Sequence, residues 1–176
     1  MKPDIIPIPG DIVVSEDEIQ QRVRELGAQI SRDYAGKKLH LLAVLRGAVP
    51  FLADLSRNIM LDVTFDFMAL SRDGAGGQVR LIKDLDKPLE GKHVLVVEDI
   101  VNEGETLKFL LKALSLRHPL DVKVCTLFDR PSKRKAQVQL DYVGKVLDDR
   151  FLVGYGLDYK QMYRNYRHLT ELRFGK

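Results

Sequence analysis

Two adjacent carboxylates, Glu98 and Asp99, close a run of four apolar residues, Val94-Leu95-Val96-Val97. A short polar turn follows, Asn102-Glu103-Gly104-Glu105-Thr106. Carboxylates suit a sugar diol because each accepts two hydroxyl donors, and they hold Mg²⁺ directly or through water. Gly104 lets the backbone approach a ligand closely, and the Thr106 hydroxyl can donate to a phosphate oxygen. Adjacent residues of a continuing strand point to opposite faces. If the strand ends near Val97, both carboxylates can turn toward one ligand. Composition alone is met equally by a βα turn with solvated acids and Thr106 as a plain first-turn residue.

The elements around this stretch must position it. The unbroken apolar run suits a strand covered on both faces, as in a parallel sheet. Leu107, Leu110, Leu111 and Leu114 have the spacing of a helix burying one stripe. Strand, glycine turn and helix N-terminus together gather N–H groups at the carboxyl edge of a sheet, where a phosphate can be held.

Upstream, residues 1–14 read as an irregular arm ending in an extended piece over 11–14. Ser15-x-x-Glu18 is a capping box that predicts a helix from about Glu16 to Tyr34, with Ile19, Val23, Leu26 and Ile30 as its buried stripe and Gly36 as its stop. Leu39 to Leu45 reads as an apolar strand ending in Arg46-Gly47-Ala48, and Pro50 suits the first turn of a helix through Arg57. Asp62 to Leu70 and Gln78 to Lys83 are strands joined by a glycine-rich link, SRDGAGG, which could be a lid or a plain hairpin connection. Downstream, Val122 to Phe128 is an inner strand, followed by a basic, turn-like segment over 129–135. Short strands are expected at 142–147 and 151–155. In the tail a helical turn should precede a strand at 168–174.

Strands alternating with helices predict an α/β fold whose central, mostly parallel sheet is flanked by helices. The domain is expected to span 1–176, with a core at about 15–147 and a small cap from about 1–14 and 148–176. With 176 residues there is enough chain for a real core without metals or disulfides. The formal charge of +3, from 28 basic and 25 acidic residues, is too balanced for a nucleic-acid protein. The one cysteine, Cys125, lies in an apolar run and reads as a buried small hydrophobe in a reducing compartment. With no signal-peptide pattern and no membrane-length apolar stretch, a cytoplasmic protein with no membrane partner is expected.

The string VVEDIVNEGETL resembles the phosphoribosyl-pyrophosphate loop of the type I phosphoribosyltransferases, keeping Glu98, Asp99, Gly104 and Thr106 of that pattern. The resemblance is closest to the hypoxanthine-guanine phosphoribosyltransferases and runs along nearly the whole chain in order. It implies the type I phosphoribosyltransferase fold, with the cap formed by the chain termini. It also implies transfer of a 5-phosphoribosyl group from phosphoribosyl pyrophosphate to hypoxanthine or guanine, giving a nucleoside monophosphate and pyrophosphate. Mg²⁺ is the implied cofactor and a homodimer or homotetramer the implied assembly.

The roles carried over are as follows. Asn102 and Arg164 stand at catalytic positions. Glu98, Asp99, Glu103, Gly104, Glu105 and Thr106 hold ribose and 5-phosphate. Arg46, Gly47 and Arg164 hold pyrophosphate, in a loop that in the family carries a strained, often cis peptide. Arg130 and the Phe151 ring, with the backbone at Leu152, receive the purine. Glu98, Asp99 and Asp158 are the metal carboxylates.

Four departures fall on working positions. Asn102 replaces an aspartate that faces purine N7 in the family, and an amide cannot ionise to act as a base. Glu103 replaces a threonine and brings negative charge to the phosphate cradle. Arg130 replaces the lysine that reads the purine 6-oxo group, and its planar fork is not equivalent to an ammonium. The glycine-rich link has Arg72-Asp73 where the family lid carries Ser-Tyr, and it is several residues short. Two readings follow: a transferase, slow or altered in specificity, or an impaired homologue that binds a purine or nucleotide as a sensor or partner protein.

Overall fold

The computed structural model describes residues 7–72 and 77–174. Strand β1 (Ile8–Val14) leads to helix α1 (Glu16–Asp33), where the Ser15 hydroxyl accepts from Glu18 N–H and the Glu18 carboxylate accepts from Ser15 N–H. This closes the predicted capping box, satisfying two N–H groups that would otherwise lack partners. Ile19, Val23, Leu26 and Ile30 are buried, as the spacing requires.

Strand β2 (Leu39–Leu45), helix α2 (Val49–Asn58) and strand β3 (Val63–Arg72) follow, and β3 turns back into β4 (Val79–Lys83). Strand β5 (His93–Val101), helix α3 (Glu105–Ser115), strand β6 (Asp121–Asp129) and strand β7 (Tyr142–Val146) complete the six-stranded sheet. Its order is β4-β3-β2-β5-β6-β7, and every pairing is parallel except the β3–β4 hairpin. Apolar side chains cover both faces: α1 and α2 lie over one, α3 over the other. Cys125 is fully buried and burial pushes its thiol up, as expected of a small core hydrophobe.

The chain leaves β2 in one direction, to β3 and β4, and returns to its other side at β5 before continuing outward. The reversal makes the carboxyl ends of β2 and β5 a topological switch point, where open α/β sheets form their ligand crevice. Over this edge stands a separate antiparallel sheet in the order β1-β9-β8, built from β8 (Leu152–Val153), β9 (Leu169–Arg173) and β1.

Four expectations are corrected. Strand β5 does not end at Val97: it loses β2 after the Ala43–Val97 pair but stays paired with β6 through Val101. Glu98 and Asp99 therefore remain in extended backbone. The expected strand at 151–155 shortens to two residues, and no helical turn forms among the described residues of the tail. Gly154 and Gly156, with Tyr155, Lys160, Gln161 and Tyr163, all have positive φ, which a right-handed helix excludes. The extended part of the N-terminal arm begins earlier than expected, at Ile8; residues 1–6 lie outside the described residues. So does Asp73 with the centre of the glycine-rich link, although Ser71 and Arg72 on its near side pair with Arg80 and Val79. Among the described residues, no helix is long and apolar enough to cross a membrane.

Candidate active site

Strand parity decides how the acidic pair is used. Because β5 stays extended through Asp99, the two carboxylates face opposite ways. Glu98 lines a cavity of about 370 Å³ walled by Asn102, Glu103, Gly104, Glu105 and Thr106. Asp99 lines a second cavity, of about 220 Å³, with Arg130, Phe151, Leu152 and Asp158. Asn102 borders both.

The first cavity is the turn between β5 and α3. Gly104 caps α3 with φ 80°, a left-handed conformation favouring glycine, and a Cβ there would lie 2.9 Å from Arg134 Cδ. The turn delivers the first N–H groups of α3, and Thr106, to the cavity. Burial, and after it the neighbouring Asp99, raises the Glu98 carboxyl well above the usual range. Glu103 does not project alone into the cradle. Its carboxylate accepts from Arg72 Nη1 at 2.8 Å and from Lys135 Nζ, and these partners hold its pKa below the ordinary value. Arg72 Nη2 also bonds Glu105 at 2.7 Å. Arg72, at the end of β3, thus ties the turn to the hairpin.

The second cavity has an aromatic wall. Phe151 is 44% exposed and meets Tyr159 and Phe174 in T-shaped contacts, with centroids 6.0 and 5.6 Å away. Arg130, only 6% exposed, donates through Nη2 to the Arg150 carbonyl at 3.0 Å and through Nη1 to Asn102 Oδ1 at 3.3 Å. Arg134 Nε holds the Asn102 carbonyl at 2.9 Å, and Arg134 is itself paired with Asp129. Burial raises the Asp99 carboxyl to about 6, although Ile100 N–H and Arg164 favour its ionised form.

At the other end lies a cavity of about 470 Å³ that includes Arg46 and Arg164. The Leu45–Arg46 peptide is cis. Arg164 donates to the Gly156 carbonyl at 2.6 Å and pairs with Asp158 at 2.8 Å. Gln161 Oε1 accepts from Arg164 at 2.9 Å and from Arg46 at 3.3 Å, so one carbonyl holds both guanidinium groups. Neither Gln161 nor Arg134 was singled out from the sequence, and each has one partner far away in the chain, Arg46 and Asn102 respectively.

The carboxylates expected to form a metal set, Glu98, Asp99 and Asp158, do not converge, because β5 sends Glu98 to the other cavity. Among the described residues no group of three metal-ligating side chains forms. Asp99 and Asp158 share one cavity. Two hard oxygen donors fit Mg²⁺, which takes one or two carboxylates and fills its octahedron with water and substrate phosphates.

The phosphoribosyl transferase domain family model matches residues 13–160. The chain is 43% identical over 171 residues to the hypoxanthine phosphoribosyltransferase of Buchnera aphidicola, covering 94% of this chain and 97% of that protein. It is 41% identical over 166 residues, 92% of this chain, to the bifunctional protein TilS/HprT of Listeria monocytogenes, and spans only 26% of that longer protein. The crystal structure of a hypoxanthine phosphoribosyltransferase from Staphylococcus aureus superposes with a TM-score of 0.91 at 39% identity, covering 94% of this chain and 92% of that one.

Proposed function

The chain belongs to the phosphoribosyltransferase family, and we propose from this premise that it moves a 5-phosphoribosyl group from phosphoribosyl pyrophosphate to hypoxanthine or guanine. The observation that supports this most is the pair of cavities meeting at Asn102. One is a phosphate cradle, the other a smaller cavity lined by Phe151 and Arg130 that receives the base. A sugar spanning the junction presents its C1 to a ring nitrogen of the base.

In this reading the α3 N-terminus, Gly104 and the Thr106 hydroxyl hold the 5-phosphate, with the Glu103 and Glu105 charges balanced by Arg72 and Lys135. Glu98 orients the ribose hydroxyls. The Phe151 face stacks on the purine, the Leu152 backbone meets its edge, and Arg130 donates to the 6-oxo oxygen. Purine N9 attacks C1 as the C1–O bond to pyrophosphate breaks. Positive charge develops on the ribose ring and negative charge on the leaving group, where Arg46 and Arg164 stabilise it. Asp99 and Asp158 are the residues that would hold Mg²⁺, which when bound offsets the charge of the pyrophosphate. A homo-oligomer and a cytoplasmic location belong to the same proposal.

The test is product formation from phosphoribosyl pyrophosphate and Mg²⁺ with hypoxanthine, guanine and xanthine in turn. Nucleoside monophosphate above a control without protein is the expected result. No turnover, with nucleotide binding still measurable, would support the sensor or partner-protein reading instead.

A further inference from the structure

The orientation of the Asn102 side chain is fixed by its neighbour. A guanidinium has donors only, so the atom that Arg130 Nη1 meets at 3.3 Å must be the amide oxygen. The Asn102 carbonyl is held as well, by Arg134 Nε at 2.9 Å. Both acceptors of the residue are engaged, while its side-chain NH₂ has no partner among the described residues, and Asn102 borders both cavities. Resting on the transferase reading, the base in the aromatic slot must point its reacting nitrogen at this junction. The five-membered-ring edge that carries this nitrogen then faces Asn102.

We infer that Asn102 offers this edge a hydrogen-bond donor and no proton acceptor, so the purine gives its ring N–H proton to solvent and reacts as the anion. An amide N–H pairs with a ring nitrogen lone pair and repels a ring N–H. It therefore selects a base form in which the other nitrogen of the five-membered ring is unprotonated; the neutral tautomer of that kind carries its proton on the reacting nitrogen, which cannot attack until that proton is lost. The product nucleotide has that form too. The step balances without a protein base: water or hydroxide takes the proton, the N9 lone pair forms the bond to C1, and the C1–O electron pair leaves with pyrophosphate. Arg130, buried beside Asn102 in the wall of the slot, supplies a fixed positive charge for the anion.

Other charged groups surround the junction. Arg130 and Arg134 follow β6, Asp148, Asp149 and Arg150 precede β8, and Asp158 comes from the cap with Arg164. Asp99 stands on β5. On the phosphate side are Glu98 and Glu103, with Arg72 and Lys135. A limb set by any of these groups, Asp99 and Glu98 included, falls at one pH whatever base is offered. A limb set by the purine moves with the purine.

The experiment is the pH profile of kcat/KM for the base, measured with hypoxanthine and with 8-azahypoxanthine, whose extra ring nitrogen makes its N–H more acidic. In the natural protein kcat/KM should rise about tenfold per pH unit up to the N–H pKa of the free base, and the midpoint should drop for the aza analogue by the difference between the two pKa values. Asn102→Ala should lower the rate but keep this base-dependent midpoint. Asn102→Asp, which restores an ionisable acceptor, should flatten the rise. Nucleotide formation with one midpoint for both bases would overturn the inference while leaving the transferase reading intact. No nucleotide from either base at any pH would overturn both.

Discussion

The Asp99 carboxylate fills the space that a side chain on Gly47 would need: a Cβ at position 47 would lie 1.7 Å from Asp99 Oδ2. From the other side, a Cβ on Gly156, whose φ is 97°, would lie 2.0 Å from the Gly47 carbonyl oxygen. The turn after β2, the end of β5 and the cap thus meet at backbone-to-carboxylate distance.

Gly47→Ala should therefore displace Asp99 as well as the turn. Overpacking of this kind costs about 1–3 kcal/mol. We expect a comparable loss in unfolding free energy and at least a tenfold rise in KM for phosphoribosyl pyrophosphate. Gly47→Ala combined with Asp99→Gly should regain stability without regaining activity. Denaturant titration and steady-state kinetics on the same preparations would check both, and a fully active Gly47→Ala protein would contradict the assignment.

Arg72 neutralises two carboxylates of the phosphate turn, at 2.8 Å from Glu103 and 2.7 Å from Glu105. These pairs are partly exposed, so their loss should change stability by less than about 1 kcal/mol. Its effect on an anionic ligand should be larger, because two negative charges would then stand at the cradle with only Lys135 beside Glu103 among the described residues. Arg72→Ala should weaken nucleoside-monophosphate binding about tenfold by calorimetry, and adding Glu103→Thr should restore most of it. Unchanged affinity in Arg72→Ala would show that the turn does not hold the phosphate.

Asp66 on β3 is buried and gives a stability prediction with a defined sign. Burial alone would raise its carboxyl, but N–H donors from Phe67, Asp86 and Lys87 outweigh it, with Lys83 3.6 Å away, and the net shift is downward. A lowered folded-state pKa stabilises the fold above the unfolded value, about 4, and this contribution is lost as pH falls through the folded value. Asp66→Asn should cost about 1–3 kcal/mol at neutral pH, since one backbone donor loses its acceptor. Chemical denaturation at a series of pH values should show that the variant has lost part of the acid-side slope seen in the natural protein.

The order of strands and helices, the capping box and the buried stripe of α1 were legible because they rest on local periodicity and local hydrogen bonds. The far end of β5 was not. Two adjacent carboxylates are poor strand formers, and only pairing with β6, some thirty residues later, keeps Glu98 and Asp99 extended. Glu98 and Asp99 therefore line different cavities. Glu103 alone looked like an obstacle to phosphate; Arg72 and Lys135 change its meaning from positions 31 and 32 residues away. The tail was misread because its turns depend on positive φ at Tyr155, Lys160, Gln161 and Tyr163, residue types that do not advertise it.

Gln161, at the end of the site proposed for pyrophosphate, is a residue that the sequence did not reveal. Its backbone N–H donates to Asp158 at 2.8 Å, and its side-chain oxygen accepts from both Arg46 and Arg164. Two guanidinium groups repel each other, and one shared acceptor holds them together before any anion arrives, which lowers the cost of ordering them on binding. Gln161→Ala should raise KM for phosphoribosyl pyrophosphate about tenfold while leaving KM for the purine within about twofold; tenfold corresponds to about 1.4 kcal/mol. Gln161→Asn, which keeps the amide on a shorter arm, should fall between the two. Pyrophosphate inhibition should weaken in the same order, because it reads the same end of the site without the base. If Gln161→Ala alters both KM values equally, the residue supports the cap as a whole and not the arginine pair.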